Sequence, residues 1–430
     1  MSVHLAIPRR FSPSLVQTWL VQAVAMIWVA FFLLAPSWAA TKKTLYTFEK
    51  RQGAHPWGTM VFDSAGNLYG TTQAGGVITC GPDGRGGCGA VFQLAPQPDG
   101  TWKYLDLYKF AGGTDGAEPY AGVIFDAAGN LYGTTAAGGD DQNGGFGYGT
   151  VFELSPGAGG WTETLLHTFA LQSGDGEAPV APLIFDQSGN LYGTTYQGVD
   201  PCGYGTVFQL SPNLQGGWTE DRLHCFSGAN SDGTYPAAGL IFDDAGNLYS
   251  TSYIGGANDN GTVFQLAPSG GTWTENIIYN FPKGYGPYPY PSLVSDKNGN
   301  LYGLTYGTVY ELTPSGGGWT YATIYTDPTG PHGIFPNNLV IDQAGNLYGT
   351  AEGGASSNCH KGGCGAVFKL THRKKGWRLT VIHNFRGGPD GANPYGGLVM
   401  DQHGNLYGTT YYGGENECVG GCGVVFEITP

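Results

Sequence analysis

Short apolar runs alternate with turn-forming residues along most of the chain, and one arrangement of the two keeps returning. In its clearest copy an apolar run, Val123-Ile124-Phe125, leads into Asp126-Ala-Ala-Gly-Asn130, and the chain resumes with Leu131-Tyr-Gly-Thr-Thr135. The Asp126 carboxylate can accept hydrogen bonds from the neighbouring backbone, and the Gly-Asn pair tolerates positive φ, so the chain reverses direction there. The pattern predicts a tight hairpin between two β-strands.

Seven copies of this hairpin occur, at intervals of 46 to 63 residues. Their central asparagines are Asn67, Asn130, Asn190, Asn247, Asn300, Asn346 and Asn405. Repeats of this period with strand patterning are typical of stacked or radial arrays. The aspartates that open the hairpins could be read as metal ligands, but Asp-x-x-Gly is itself a turn signal, so we expect them to form turns. These aspartates are Asp63, Asp126, Asp186, Asp243, Asp296, Asp342 and Asp401.

Each repeat contains four predicted strands, which we call A to D. In the second repeat they span residues 122–126, 130–135, 149–154 and 161–169. The sequence ends just after the seventh strand C, so the seventh strand D is missing at that end. A matching segment, Thr44-Leu-Tyr-Thr-Phe48, stands at the opposite end of the chain.

An N-terminal strand that completes the last repeat is the ring closure of a β-propeller, in which radial blades leave only short edges. A linear solenoid would not need that strand, and it would need distinct caps. The composition agrees, because 75 glycines and 13% aromatic residues indicate short strands around a core rather than disorder. We therefore predict an all-β fold, a seven-bladed β-propeller of four-stranded blades over residues 40–430, with the N-terminal strand closing the last blade.

Residues 1–39 have a different character. Arg9 and Arg10 precede an uncharged apolar stretch that ends in Ser37-Trp-Ala39, with small residues where a signal peptidase reads them. We predict a signal peptide that is cleaved after Ala39. The alternative is an uncleaved membrane anchor, since about 20 apolar residues can span a bilayer.

Cleavage would change the formal net charge from −14 to −16, because it removes two arginines and no acidic residue. A chain this acidic is not expected to bind nucleic acid or anionic lipid surfaces. Contact with a membrane is expected only if the leader stays attached.

Eight cysteines follow the leader, an even number in a chain predicted to be exported, so disulfides are expected. The pairs would be Cys80–Cys88, Cys359–Cys364, Cys418–Cys422 and, by remainder, Cys202–Cys225. Zinc at Cys359-His360-Lys-Gly-Gly-Cys364 is the alternative, but no second pair with zinc spacing lies nearby in the sequence. We predict four disulfides, no metal site, and a secreted, extracellular or periplasmic location.

Three motifs recur together: Phe-Asp-x-x-Gly-Asn-Leu-Tyr-Gly-Thr-Thr, Gly-Thr-Val-Phe-x-Leu-x-Pro and Trp-Thr-Glu-x-x-Leu-His-x-Phe. In this combination, over about residues 44–430, the chain resembles the GloVer tandem repeat of exported bacterial proteins. Members of that family often carry interchangeable C-terminal anchors, whereas this sequence ends on a strand C. The hairpin is also loosely similar to those of NHL-type propellers. The resemblance implies an exported repeat protein and implies no established activity.

The segments between strands B and C vary most in length, and in a propeller they share one face with the segments between D and A. Variable loops on a rigid scaffold mark a binding surface. The aromatic residues expected there are Trp57, Tyr120, Tyr290, Tyr395, Tyr411 and Tyr412. Flat aromatic surfaces among Asp, Asn and Gly suit neutral polar ligands such as glycans, although tyrosines also pack between blades.

Three residues offer a catalytic alternative. His55, Glu118 and Asn393 each precede a blade-starting proline in blades that are adjacent around the closed ring, so they could converge near the channel mouth. By analogy with sugar-lactonase-like and lyase-like propellers, this would give a metal-dependent hydrolase or lyase, with Ca²⁺ as a candidate ion. Solvated loop residues are the simpler interpretation. The sequence has no serine-nucleophile motif, phosphate loop or HExxH motif.

The remaining candidates for chemistry are three histidines on strand D. His167, His224 and His383 occupy a position that is tyrosine in the other repeats, which indicates packing. The prediction from sequence is therefore a monomeric, non-enzymatic binding or cell-surface interaction module without a cofactor. Its expected partner is a glycan or another surface protein.

Overall fold

Seven four-stranded antiparallel sheets form a β-propeller, as the repeat count predicts. The computed structural model describes residues 40–77, 86–139, 147–170, 174–228, 232–283, 289, 292–326, 336–353, 359, 363–414 and 418–430. Thr41–Pro430 is one compact unit. In each sheet, or blade, the strands are hydrogen-bonded in the order A, B, C, D.

The strands are numbered in chain order, and the first four blades have closely matching bounds. Blade 1 contains β2 (Val61–Phe62), β3 (Leu68–Thr72), β4 (Ala90–Pro96) and β5 (Trp102–Lys109). Blade 2 contains β6 (Ile124–Phe125), β7 (Leu131–Thr135), β8 (Thr150–Gly157) and β9 (Gly160–Thr168). Blade 3 contains β11 (Ile184–Phe185), β12 (Leu191–Thr195), β14 (Thr206–Pro212) and β15 (Trp218–Cys225). Blade 4 contains β17 (Ile241–Phe242), β18 (Leu248–Ser252), β20 (Thr262–Ser269) and β21 (Thr272–Asn280).

The last three blades follow the same plan. Blade 5 contains β22 (Val294–Ser295), β23 (Leu301–Thr305), β24 (Thr308–Ser315) and β25 (Gly318–Thr326). Blade 6 contains β26 (Pro336–Ile341), β27 (Leu347–Ala351), β28 (Ala366–Arg373) and β29 (Gly376–Asn384). Blade 7 contains β30 (Val399–Met400), β31 (Leu406–Thr410), β32 (Val424–Thr429) and, from the other end of the chain, β1 (Thr41–Thr47).

A few short elements lie outside the blades. Two small ribbons pair β10 (Gly176–Glu177) with β13 (Gln197–Gly198) and β16 (Gly233–Thr234) with β19 (Ile254–Gly255). The helical elements among the described residues are two 3₁₀ turns, Gly113–Asp115 and Gly388–Asp390. No helix in the described ranges combines the length and apolarity that crossing a membrane requires.

The repeated aspartate holds its hairpin with both carboxylate oxygens. In blade 2, Asp126 Oδ1 accepts the backbone N–H groups of Ala128 and Asn130 at 2.9 and 2.8 Å. Its Oδ2 accepts the Asn130 amide at 2.9 Å and the Tyr132 hydroxyl at 3.2 Å. Gly129 at the turn has φ of 89°, which glycine adopts without strain. The same carboxylate contacts occur in all seven hairpins, so the turn-forming interpretation is confirmed.

The tyrosine that each hairpin orients also packs against the next blade. Tyr132 lies edge-on to Phe185 at 5.0 Å between ring centroids and near Trp218 at 6.2 Å, both in blade 3. In the last hairpin, Tyr407 contacts Phe62 and Trp102 of blade 1 at 5.0 and 6.2 Å. The hairpin thus couples a local turn to the packing between blades.

Strand C supplies the interior of each blade, where Val151, Phe152 and Leu154 of blade 2 are fully buried. The phenylalanine directly after strand D packs edge-on against the strand C aromatic of the next blade, with ring centroids 5.1–5.4 Å apart. These phenylalanines are Phe48, Phe110, Phe169, Phe226, Phe281 and Phe385.

The N-terminal strand closes the ring, as predicted. β1 pairs antiparallel with β32, with Thr41 opposite Thr429 and Thr47 opposite Val424. Phe48 then leaves blade 7 and contacts Phe92 of blade 1 at 5.2 Å. The core around them joins residues of blade 1 to Tyr407 and Val425 of blade 7.

We expect Phe48→Ala to lower the free energy of unfolding by about 3–5 kcal/mol, because it opens a cavity in a fully buried contact. Urea unfolding monitored by tryptophan fluorescence measures the change. Phe226→Ala is the matched control, since Phe226 makes the equivalent contact in the middle of the chain. A much smaller loss at Phe48 than at Phe226 would contradict a closed ring.

We expect Asp126→Asn to cost about 1.5–3 kcal/mol at pH 7, because charge-assisted hydrogen bonds are lost. Burial alone would raise the pKa of Asp126, but the hydrogen bonds from Asn130, Tyr132 and Ala128 outweigh it and lower the pKa. In the unfolded chain the carboxyl has a pKa of about 3.9, so it binds a proton at a higher pH than it does in the native protein. The stability that Asp126 contributes is therefore complete above that pKa and is lost as the pH falls through the lower native pKa. The stability difference between wild type and the variant should shrink between pH 5 and pH 3, and a constant difference would contradict the assignment.

Candidate binding site at the channel mouth

The loop before strand A and the loop after strand B run side by side within a blade. In blades 1, 2 and 7 they meet through antiparallel bridges, Ala54 with Ala74, Ala117 with Ala137, and Ala392 with Tyr412. In blades 3 and 4 the ribbons β10–β13 and β16–β19 take the same place. One face of the propeller, which we call the mouth, is therefore built from these two sets of loops.

The residue before the blade-starting proline has a left-handed backbone in every blade where the structure describes it. These residues are His55, Glu118, Ala178, Tyr235 and Asn393, with φ between 53° and 58°. Such values are uncommon for residues other than glycine and persist where surrounding contacts impose them. Here the N–H group donates to a carbonyl of the preceding blade, as from His55 to Cys422 at 2.9 Å. The carbonyl accepts from the residue after strand B, as from Gln73 to His55 at 3.2 Å.

All seven blades contribute to one pocket at the axis, which is open to solvent. It is lined by Trp57, Gly58, Thr59, Tyr120, Ala121, Gly122, Val180, Pro182, Ala237, Ser292, Asn338, Tyr395 and Gly397. All of these residues follow the blade-starting prolines within three positions. Three of the predicted binding residues, Trp57, Tyr120 and Tyr395, thus line the same pocket.

Small residues bring the blades close together around this axis. A Cβ atom on Gly122 would overlap the carbonyl oxygen of Thr59, and one on Gly58 would overlap the backbone of blade 2. The Asn338 side-chain amide donates to Thr59 Oγ1 at 3.2 Å, and a Cβ on Gly397 would overlap both side chains. The pocket wall on this side is therefore backbone and small polar groups.

The predicted aromatic residues form one cluster at the edge of the pocket. The Trp57 indole stacks on the Tyr395 ring at 4.4 Å between centroids and 3° between planes, and it lies edge-on to Tyr120 at 5.5 Å. Tyr411 packs perpendicular to Trp57, Tyr395 and Tyr412 at 5.5, 5.1 and 4.7 Å. The sixth predicted residue, Tyr290, lies outside the described residues.

Polar side chains fix the orientation of these rings. Gln73 Nε2 donates to the Tyr120 hydroxyl at 2.6 Å, and the Tyr411 hydroxyl donates to Gln73 Oε1 at 3.1 Å. The Tyr395 hydroxyl donates to Glu352 Oε1 at 2.5 Å. Blades 1, 2, 6 and 7 are thereby joined into one polar and aromatic surface.

Two half-buried carboxyl groups border the cluster. Burial raises the pKa of Glu118, and a hydrogen bond from Tyr120 opposes the shift. Burial likewise raises the pKa of Glu352 against the hydrogen bond from Tyr395. Burial, with the charges of Tyr412 and Glu118, raises the pKa of Tyr411 to about 12, so its hydroxyl remains a donor at neutral pH.

The proposed catalytic trio lies in this region, but each member contacts a different group. His55 stacks on Tyr411 at 4.4 Å, its Nδ1 lies 3.0 Å from the Tyr411 carbonyl oxygen, and burial lowers its pKa. Glu118 contacts the Tyr120 hydroxyl at 3.5 Å, and the Asn393 side-chain amide donates to the Glu352 carbonyl at 3.0 Å. In the described ranges, the groups of His, Asp and Glu close enough to share an ion lie elsewhere, on strands D and in the turns that follow them. Catalysis by the trio stays a prediction.

Gln73, Glu352 and Tyr306 belong to the mouth but are missing from the sequence-based set. Each directly follows strand B, the same position as Tyr196, Tyr253 and Tyr411 in other repeats. Alignment of that single column would have found them. Tyr306 is 47% exposed, and Tyr196 packs against Tyr235 at 5.1 Å, so tyrosines also surround the mouth in blades 3 to 5.

Disulfides link the loops of this face. Cys202 is bonded to Cys225, Cys359 to Cys364 and Cys418 to Cys422, which are the pairings predicted from the sequence. Cys88 is disulfide-bonded as well. Its predicted partner, Cys80, lies outside the described residues.

The fold and this surface define a disulfide-linked, seven-bladed β-propeller with an aromatic mouth. A sequence model of the Gloeobacter/Verrucomicrobia repeat matches residues 142–306 and 304–430, more than half of the chain. The chain belongs to this repeat family, in agreement with the resemblance seen in its motifs. Comparison with curated proteins gives no match.

Solved structures with the same fold are much more distant in sequence. The extracellular domain of BT4673, named as a one-component system of B. thetaiotaomicron, has a TM-score of 0.57 at 12% identity. The alignment covers 90% of this chain and 40% of that one. PorZ, a surface component of the type-IX secretion system of Porphyromonas gingivalis, has a TM-score of 0.54 at 13% identity, with 90% and 47% covered. This chain therefore spans less than half the length of either protein, and the similarity shows the fold alone.

A structure named as a 6-phosphogluconolactonase, from Bacteroides uniformis, aligns less well. Its TM-score is 0.49 at 14% identity, with 80% of this chain and 88% of that one covered. Similarity at this level carries no argument about catalysis.

Proposed function

We propose that the protein is an exported, non-enzymatic binding module whose mouth binds neutral glycans. The single observation that carries the proposal is the cluster of Trp57, Tyr120, Tyr395 and Tyr411 around one open pocket. Ligand sites are typically concave and aromatic with a few placed polar groups. Aromatic rings offer apolar surface to sugar C–H groups, and the hydroxyl groups of Tyr120, Tyr395 and Tyr411 are held in place by Gln73 and Glu352.

The polar groups of the mouth match a ligand that both donates and accepts hydrogen bonds. Thr59, Ser292 and Asn338 line the pocket, and Gln73 lies between two tyrosine hydroxyls. Glu118 and Glu352 add acceptors at its border. No basic residue is among the lining residues, so an anionic sugar would find no counter-charge there.

The chemistry of export supports the same proposal. Disulfides persist in oxidising compartments, and the leader of residues 1–39 has the pattern of a cleaved signal peptide. Glycans are abundant ligands outside the cell membrane. The two structures of similar fold, an extracellular domain and a surface component, accord with a secreted or periplasmic location.

The hydrolase or lyase alternative has no specific observation in its favour. His55, Glu118 and Asn393 hold a backbone conformation that bonds neighbouring blades, and their side chains contact three different groups. The described residues bring no set of His, Cys, Asp and Glu ligands together at the mouth.

We expect the purified protein to bind neutral oligosaccharides on an array in preference to uronate-containing ones, because the mouth borders on carboxyl groups. Titration calorimetry of the best neutral oligosaccharide should show that Trp57→Ala weakens binding by at least about 30-fold, the typical cost of losing a central aromatic contact.

Trp218→Ala is the matched control. Trp218 lies on strand D of blade 3, where it packs against Tyr132, away from the pocket. The variant should leave the affinity unchanged even if it lowers stability. Absence of any bound oligosaccharide, or equal losses for both variants, would reject glycan binding at the mouth. Selective capture of a basic peptide through Trp57 would keep the site and replace the ligand class.

A further inference from the structure

Neighbouring blades also form slots at the outer edge of the propeller. In four of the slots that the structure describes, a His or Tyr from strand D meets an aspartate from the turn that follows and a residue from strand D of the next blade, whereas Tyr46 and Tyr279 stack on a tyrosine of the next blade. These four slots are Tyr108, Asp115 and Glu163; His167, Asp175 and Glu220; His224, Asp232 and Glu275; and His383, Asp390 and Lys42. The last-named residues are equivalent, because Glu163, Glu220, Glu275 and Lys42 pair with corresponding strand C positions.

In two of these slots a side chain of the protein contacts the acidic groups and so bridges the two blades. The Tyr108 hydroxyl lies within hydrogen-bond distance of both Asp115 and Glu163 Oε2, the latter at 2.9 Å, and its one proton serves the two carboxyl groups. Lys42 Nζ lies 3.0 Å from Asp390 Oδ1, which also contacts His383 Nε2 at 3.2 Å. The Tyr108 hydroxyl thus occupies the centre of one slot, and the side-chain ammonium group of Lys42 occupies the centre of the other.

The two other slots contain a histidine and two carboxylates without such a bridge. His224 Nε2 lies 3.3 Å from Asp232 Oδ1 and 3.7 Å from Glu275 Oε2. The distance to Glu275 is beyond a hydrogen bond. In the described part of the chain, no Lys or Arg forms an ion pair with either carboxylate.

The preceding slot has the same composition with slightly longer distances. His167 Nε2 lies 3.8 Å from Asp175 Oδ1 and 3.9 Å from Glu220 Oε2. Arg222 is nearby and acts on Glu220 through space, but its guanidinium donates to the Gly174 carbonyl. No Lys or Arg in the described ranges forms an ion pair with Asp175 or Glu220.

Buried polar atoms in these slots lack partners. His167 Nε2 and Glu275 Oε1 are inaccessible to solvent and make no hydrogen bond, and the same holds for Glu163 Oε1 in the slot of Tyr108. Leaving such atoms unsatisfied is costly, so a ligand that engages them is favoured. The aspartates are already oriented by the backbone, since Asp175 accepts N–H groups from Ala170 and Gly176 at 2.9 and 2.8 Å and Asp232 accepts one from Ser227 at 2.9 Å.

We propose that His167, Asp175 and Glu220 bind one Zn²⁺ ion and that His224, Asp232 and Glu275 bind a second. In each group the candidate ligand atoms lie within 4.8 Å of one another. Tetrahedral zinc with bonds of about 2.0–2.2 Å places neighbouring ligand atoms roughly 3.3–3.6 Å apart, so the ligand atoms must approach one another by up to about 1.5 Å, which side-chain rotation can supply. The imidazole nitrogen favours zinc over the hard ions Mg²⁺ and Ca²⁺, and water would complete the coordination.

Zinc ions at these two sites would link strand D of blade 2 to strand D of blade 3, and strand D of blade 3 to strand D of blade 4. They would have the role that Lys42 has between blades 6 and 7. The sites lie on the outer strands, so they are independent of glycan binding at the mouth.

The test uses the full mature chain, stripped with a chelator and then titrated with Zn²⁺ alone, with bound metal measured by mass spectrometry after gel filtration. Glu275→Lys copies the slot of Lys42 and should remove one bound Zn²⁺ per chain while the metal-free protein keeps its Tm. His167→Ala should remove one from the other slot, and the double variant should remove two.

Lys42→Glu is the converse variant, because it gives the third histidine slot the same ligand set. It should add one bound Zn²⁺ per chain. Ca²⁺ titrated in the same way should not compete. The proposal would be overturned if Glu275→Lys and Lys42→Glu left zinc uptake unchanged, or if the protein bound no zinc at micromolar Zn²⁺. A proton shared between the side chains would then be what the slots hold.

Discussion

The pairing of β1 with β32 is the constraint on which the rest of the structure depends. Seven blades each present one face to a neighbour, and the last of them has three strands until residues 41–47 join it. Closure covers the outer edge of β32 and brings Phe48 against Phe92, so the same aromatic contact continues across the two ends of the chain. Without closure, neither the axial pocket nor the full set of outer slots would exist, because both are formed between blades.

The hairpin between strands A and B connects the fold of each blade to its contact with the next blade. One carboxylate closes the turn, orients the asparagine and accepts the hydroxyl of a tyrosine that packs on the next blade. The aspartate that the sequence indicates as a turn former therefore also positions the tyrosine at the interface between two blades. This is why the motif tolerates little variation within the chain, whereas the loops between strands B and C differ in length and composition.

The architecture was predictable because it is encoded in order and count: Asn-Leu-Tyr seven times, strand C last, and Thr44-Leu-Tyr-Thr-Phe48 first. Convergence of Trp57, Tyr120 and Tyr395 followed from their common place after the blade-starting prolines. The sequence could not show the left-handed backbone of His55 or Glu118, because those φ values are imposed by carbonyls of the preceding blade. Nor could it show that His224, Asp232 and Glu275 meet, since Glu275 lies a full repeat beyond His224. Packing was the natural interpretation for a histidine that alternates with tyrosine.

The left-handed positions at the mouth have a consequence for engineering. Histidine, glutamate, alanine, tyrosine and asparagine adopt one backbone geometry there, and its bonds use only main-chain N–H and C=O groups. The bonds between blades at these sites therefore survive an exchange of side chain, and the residues that follow the prolines keep their directions. A library of residues without a branched Cβ at these columns would vary the recognition chemistry at a small folding cost, because β-branched residues are the ones most strained in this backbone conformation.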